Sequence, residues 1–146
     1  MTRTATYAAV FEADPSGGFV ITLPDFGWGV TQADTEEAAY EMARELILDL
    51  AQYHIRHGEP VPVPKRRPGR NSRHVALPLL AAAKIELYRQ MQAMGLRKAG
   101  LGRLMGMAAP NVERLFRLRH PSRIETIEAA FRALGKDIGL EVRNAA

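Results

Sequence analysis

Pro60, Pro62, Pro64 and Pro68 crowd one short stretch of this 146-residue chain, and no regular helix can run through them. Each proline lacks the backbone N–H a helix needs and clashes with the turn before it. Lys65, Arg66, Arg67, Arg70 and Arg73 are interspersed, so residues 59–73 are expected to be a solvated basic linker. The charge changes sign at the same place. Residues 1–64 hold three basic and ten acidic side chains, a net −7, whereas residues 65–146 hold seventeen basic and six acidic, a net +11. Charge divided this sharply implies two surfaces with different partners. The basic half suits nucleic acid. The acidic half would repel phosphate and suits a basic protein. The expected division is 1–78 and 79–146. Two units of that size would have thin cores, so self-association as a dimer or higher oligomer is expected.

Several classes are set aside by what is missing. There is no cysteine, which excludes disulfides and thiolate metal sites and fits a reducing cytoplasm. Met1–Thr6 has no apolar signal core, and no apolar run approaches the roughly 20 residues that span a bilayer. The expectation is a cytoplasmic protein without a membrane partner.

The N-terminal half has a strand–turn–strand pattern. Thr6–Val10 and Phe19–Leu23 flank Asp14-Pro15-Ser16-Gly17-Gly18, a turn where positive φ is easily reached. Gly27–Gln32 is a short third strand. A helix follows, with Asp34 as expected cap and Glu37 completing a capping box. Ala39, Met42, Ala43, Leu46, Ile47 and Leu50 form its apolar face, and Gly58 ends it. Val75-Ala76-Leu77 is a candidate fourth strand. From Leu79 onward the pattern is helical, broken at Gly95, Gly106 and Gly135. Ile138–Val142 alternates apolar and polar, which fits either a terminal strand paired across a dimer or a free tail.

Lys98–Leu118 carries the most specific pattern. A helix-turn-helix needs a small residue where its helices cross and a turn residue tolerant of positive φ. Gly102 and Gly106 answer those needs. Leu101, Met105, Met107, Val112 and Leu115 fall at core positions, and Pro110 sits in the first turn of the second helix. That helix leaves Ala109, Asn111, Glu113, Arg114 and Arg117 outward. Asn reads adenine and Arg reads guanine in the major groove. Lys98, Arg103, Arg119 and Arg123 are placed as phosphate contacts. The bland alternative is a four-helix domain with a solvated basic face.

These residues resemble a known family. The run Phe19-Val20-Ile21-Thr22-Leu23-Pro24-Asp25-Phe26, followed by Thr31-Gln32-Ala33-Asp34-Thr35-Glu36-Glu37-Ala38, is similar to HicB antitoxins. Lys84, Val112, Arg114-Leu115 and His120-Pro121-Ser122-Arg123 resemble the subgroup with a Cro/repressor-like helix-turn-helix. Ala33 stands where the pattern has Gly, and Gly102 where it usually has Ala. The resemblance implies an α+β fold: a partial ribonuclease-H-like domain (βββα and a possible fourth strand) without nuclease activity, then an all-α DNA-binding domain. It implies a HicA-type mRNA ribonuclease toxin as partner, operator DNA as second ligand, and no cofactor. Asp25, Trp28, Glu37 and Glu41 are the candidate toxin contacts. Trp28 lies between two glycines, and tryptophan is common at binding hot spots. Glu36, Glu37, Glu41 and Glu45 are either the surface that meets a basic toxin or, as is the commoner case for any one such residue, a solvated helix face.

Other chemistries have weaker support. Asp14, Asp25 and Asp34 each have a turn, strand-end or cap role, which leaves no carboxylate cluster for a metal nuclease. His54 and His57 are spaced to share a metal but have no third ligand nearby. A regulator sensing a small ligand through residues 1–60 is the alternative function, and it would require an apolar pocket there.

Overall fold

The computed structural model describes residues 6–65 and 69–144. Arg66, Arg67 and Pro68 of the linker, and Met1–Ala5 of the N-terminus, lie outside the described residues. The elements run β1 (Thr6–Ala13), β2 (Phe19–Thr22), β3 (Val30–Ala33), α1 (Glu36–Arg56), β4 (Ser72–Ala76), α2 (Leu79–Ala93), α3 (Lys98–Met105), α4 (Ala109–Leu115) and α5 (Ile124–Ala133). The four strands form one antiparallel sheet in the order β3-β2-β1-β4. The fold is therefore α+β, with the fourth strand present and beginning earlier than the hydrophobic pattern implies.

The β1–β2 turn forms for local reasons. The Asp14 carboxylate accepts from the Ser16 backbone N–H at 2.8 Å and from its hydroxyl at 2.6 Å. Gly18 adopts φ +75°, and a β-carbon there would run into the Ala33 carbonyl. Alternation along β1 buries Tyr7, Ala9 and Phe11 with Ile21 and Val75, while α1 contributes Ala39, Ala43, Ile47 and Leu50. Leu48, Ala51 and Ile55 are also buried, so the covered strip is wider than one periodic face. Met42, counted in that face, is exposed. α1 is covered on two sides, by the sheet and by the loop after α4, and Met42 faces neither.

The start of α1 corrects one expectation. The cap is Thr35, whose hydroxyl accepts from the Ala38 backbone N–H at 3.1 Å. Asp34 lies one residue outside, so Glu37 is not three residues beyond the cap and the box does not form.

The proline stretch is not free in solvent. Val61 is buried. The Tyr7 hydroxyl donates to the Pro62 carbonyl at 2.6 Å, and Arg89 donates to both at 2.8 Å. Tyr88 holds the Glu59 carbonyl, and Gln92 the Gly58 carbonyl. Prolines lack the N–H that ladder and helix bonds need, and side chains of α2, with Tyr7 of β1, satisfy the carbonyls of this stretch instead.

The helices α2–α5 enclose Ile85, Leu101, Val112, Leu115, Phe116, Ile127, Phe131 and Leu134, and this core is continuous with that under the sheet. Burying each large side chain is worth about 1.5–3 kcal/mol before entropy is counted. Residues 138–142 form no strand within the chain: Ile138 packs on the core, while Leu140 and Val142 are almost fully exposed. They add to neither edge of the sheet, β3 or β4.

Candidate functional site

α3 and α4 are joined by Gly106-Met107-Ala108. Gly106 closes α3 in the left-handed region at φ 63°, and the Met107 N–H returns to the Gly102 carbonyl at 2.9 Å. Gly102 is where the helices meet: a β-carbon there would sit 3.0 Å from the Met107 carbonyl and 3.1 Å from Val112 Cγ2. Pro110 occupies the first turn of α4, where no N–H is required. Val112 and Leu115 turn inward, so the opposite side of α4 faces out by periodicity.

Of the candidate DNA-contacting residues, Ala109, Asn111, Arg114 and Arg117 are exposed together on α4 and its continuation, with Arg103 exposed on α3. The Asn111 side-chain oxygen accepts from Arg114. Lys98 and Glu113 are instead half-buried and joined across the turn at 3.1 Å, with the Lys98 ammonium 5.6 Å from the Phe116 ring centre. Arg119 is turned towards α1, where it meets Glu45 at 2.6 Å and Asp49 at 3.0 Å. Arg123 is exposed and caps α5.

The acidic side is an i, i+4 ridge of α1: Glu37, Glu41, Glu45 and Asp49, all exposed. Its carboxylates are partly engaged, Glu41 with Arg44 at 2.7 Å and the last two with Arg119. Near the C-terminal end of α1, Trp28 stands 43% exposed with its edge on Tyr53, 5.1 Å between ring centres. Its indole N–H donates to His54 at 3.3 Å, and the His57 ring stacks on Tyr53. Gly29 makes this possible: its φ is +88°, and a β-carbon would lie 2.7 Å from Leu50 Cδ1. Asp25 is half-buried on the linker, where it accepts from the Lys65 N–H at 3.2 Å, away from that ridge.

The two imidazoles of the suspected metal pair have other work. His54 lies between Trp28 and Glu59, and a His57 ring nitrogen lies 2.8 Å from the Tyr53 carbonyl. Among the described residues no three metal-ligating side chains are grouped. Nor is any helix there long and apolar enough to cross a membrane.

Two site residues were not singled out for their roles by the sequence. Gln52 pairs α1 with the loop after α4, and Lys84 of α2 is fully buried beneath that loop. The lysine left a trace, a lone charge within Ala81-Ala82-Ala83-Lys84-Ile85. Gln52 left none, since a glutamine on a helix is ordinarily solvated.

A sheet carrying an acidic helix, followed by a basic helical region, is the arrangement expected for the family whose motifs the sequence carries. Residues 6–86 match the family profile described as a HicB-like antitoxin of bacterial toxin-antitoxin systems. The chain belongs to that antitoxin family. It is 29% identical over 140 residues to Antitoxin HicB 1 of Photorhabdus laumondii, covering 96% of this chain and 88% of that protein. It is 27% identical over 135 residues to Antitoxin HicB of Escherichia coli, covering 92% and 96%. A match to Antitoxin HicB of Pseudomonas fluorescens is 42% identical over 69 residues, 47% of each chain. The protein therefore acts as the antitoxin of a toxin-antitoxin pair, with a toxin of the HicA kind as its counterpart, and belongs to a family of antitoxins rather than enzymes.

Proposed function

We propose that this antitoxin neutralises its HicA-type ribonuclease by covering the toxin's active site with residues 1–78, and represses its own operon through residues 79–146. The observation that carries the reading is the separation of the two charged faces. The α1 ridge Glu37-Glu41-Glu45-Asp49 gathers carboxylates, and α4 with the turn after it presents Asn111, Arg114 and Arg117. A ribonuclease must hold an RNA backbone, so its active-site rim is cationic and suits an acidic cover. Trp28, exposed at the end of the same helix, is the anchor in this arrangement, with Glu37 and Glu41 along the rim and Asp25 at the linker side.

On the DNA side, Arg114, Asn111, Ala109 and Arg117 enter the major groove, and Arg103 contacts phosphate. Glu113 orients Lys98 on the groove wall, and Arg119 reaches phosphate when it leaves Glu45 and Asp49. A dimer presents two such helices to half-sites about one helical turn apart, or a multiple of that. The apolar tail Ile138–Val142 supports self-association, since Leu140 and Val142 have no cover within the chain.

The ligand-sensing alternative requires an apolar pocket within residues 1–60. Two clefts on the N-terminal half, lined by Pro24, Asp25, Pro62, Val63 and Lys65, and by the Asp14–Phe19 turn with Gln32 and Asp34, are not apolar. A more apolar cleft beside Ile55, Arg56 and Gly58 is completed by Tyr88, Met91 and Leu96 from outside that segment.

The test is co-expression of the adjacent small reading frame with the full chain. Growth arrest by that frame alone, relief by the full chain, and loss of relief with Trp28→Ala and Glu41→Lys together are expected. A harmless frame, or relief that survives both changes, rejects the reading. Gel shifts on the upstream DNA test the repressor half separately.

A further inference from the structure

Lys84 is the one charged side chain among the described residues with no exposed surface. It rises from α2, and its ammonium donates to three backbone carbonyls: Arg114 at 3.0 Å, Arg117 at 2.7 Å and His120 at 2.8 Å. These acceptors are three residues apart. The chain between them is wound in consecutive turns, with Arg117 N–H bonded to Arg114 O, His120 N–H to Arg117 O and Ser122 N–H to His120 O. Each carbonyl keeps its backbone partner and takes the ammonium as a second. Lys84 makes no ion pair with a carboxylate among the described residues. Its charge is balanced by carbonyl dipoles at the C-terminal end of α4.

For stability alone this is a poor use of a core position, because a well-packed apolar side chain avoids the desolvation cost of a buried charge. What the ammonium adds is geometry. α4 has seven residues and no side-chain cap at its N-terminus, so its own hydrogen bonds hold it weakly. Two of the three carbonyls Lys84 gathers belong to Arg114 and Arg117, whose side chains lie on the outer face.

We propose that Lys84 is the positioning residue of the DNA reader: its ammonium winds residues 114–120 around itself and so sets the register of Arg114 and Arg117 from behind. This rests on the operator-binding reading above. Without the ammonium, three carbonyl oxygens converge with nothing positive between them, and the turns open. Arg114 and Arg117 keep their charges but lose their fixed spacing. Attraction to phosphate, and its salt dependence, therefore persists while discrimination between sequences is lost. General collapse of the domain would lose both.

The chain has no cysteine, which allows a chemical test. In Lys84→Cys the single thiol is alkylated in denaturant with 2-bromoethylamine, which restores an ammonium at nearly the original reach, or with iodoacetamide, which adds a neutral group. After refolding, affinity is measured for the operator and for a scrambled duplex, with Arg114→Ala in parallel. A drop of about tenfold or more in the operator-to-scrambled ratio is expected for Lys84→Cys and the neutral adduct, with an unchanged salt slope and recovery in the aminoethyl adduct. Retained discrimination in Lys84→Cys, or equal recovery with the neutral group, overturns the proposal. If Arg114→Ala loses discrimination and Lys84→Cys does not, the operator reading stands and the positioning role alone falls. If the unaltered chain does not distinguish the duplexes, both fall. Should Lys84→Cys not refold, Lys84→Met, which fills similar volume without charge, makes the same comparison, and unchanged discrimination in it is equally decisive.

Discussion

The side-chain amide of Gln52 is paired with the backbone at Leu118: its oxygen accepts from the Leu118 N–H at 2.8 Å while its nitrogen donates to the Phe116 carbonyl at 3.0 Å. One residue of α1 thus satisfies two backbone groups just past α4. The helix bearing the acidic ridge and the helix proposed to read DNA are held in a fixed relation by this pair, with Arg119 closing on Glu45 and Asp49 beside it.

Gln52→Ala leaves those two backbone groups without their partner. A loss of about 1–3 kcal/mol is expected, since an unsatisfied buried group costs its full desolvation. Denaturant titration followed by far-ultraviolet circular dichroism measures it. A midpoint unchanged from the parent chain rejects the role given to Gln52.

Gly102→Val brings branched carbon against the Met107 carbonyl and Val112, where even one added carbon has only 3.0–3.1 Å. Overpacking of this kind costs about 1–3 kcal/mol. Gly102→Ala is expected to be nearly neutral, because the helix propensity gained over glycine, about 1 kcal/mol, offsets the close contact. Thermal melts of the two variants separate these outcomes.

Trp28→Ala removes an exposed side chain, so folding stability is expected to change little. Toxin affinity is expected to fall by at least about 2 kcal/mol, roughly thirtyfold, if Trp28 is the anchor. Calorimetric titration with the toxin, beside a melting curve of the free variant, distinguishes a lost contact from a lost fold.

Burial pushes the Lys84 ammonium down from 10.5 to about 8. The unfolded chain keeps this proton to higher pH than the folded one does. Between those two values the unfolded state binds more protons, so this group makes folding more favourable as pH rises from about 8 towards 10. Below pH 8 the lysine is charged in both states and its desolvation cost is fully present. Tyr7 and Tyr88, pushed up by burial, oppose the trend only where unfolded tyrosines ionise, near pH 10. Melting temperatures at pH 7.5, 8.5 and 9.5 are expected to rise in the parent chain relative to Lys84→Met. Parallel curves for the two would falsify the shift.

Arg114→Ala is expected to weaken operator binding by about 1–3 kcal/mol and to leave toxin binding unchanged. Fluorescence anisotropy with labelled operator and a toxin pull-down from the same preparation check both halves of that statement. Loss of both together would contradict the division of labour between the two faces.

Much of the architecture was legible in the residue order because it rests on local chemistry. The Asp14–Gly18 turn, the break at Pro60–Pro64, the positive φ of Gly106 and the small side of Gly102 are properties of residue types at short spacing, and the structure realises each. The helical period of α1 was legible for the same reason, although its cap lies at Thr35 because Asp34 and Thr35 are both competent and only backbone geometry selects between them. Charge order along the chain likewise announced two faces. Tertiary structure alone decided the rest. That Lys84 meets carbonyls 30 to 36 residues away, that Gln52 reaches Leu118, and that Arg119 lies on Glu45 depend on how α1 and α2 pack against the loop after α4. The same packing lays the proline stretch on Tyr7, Tyr88 and Arg89 and leaves Ile138–Val142 joined to neither edge of the sheet. Long-range hydrogen bonds between a side chain and a backbone leave no periodic signature, because the acceptor is a carbonyl that every residue carries and only its position in the folded chain distinguishes it.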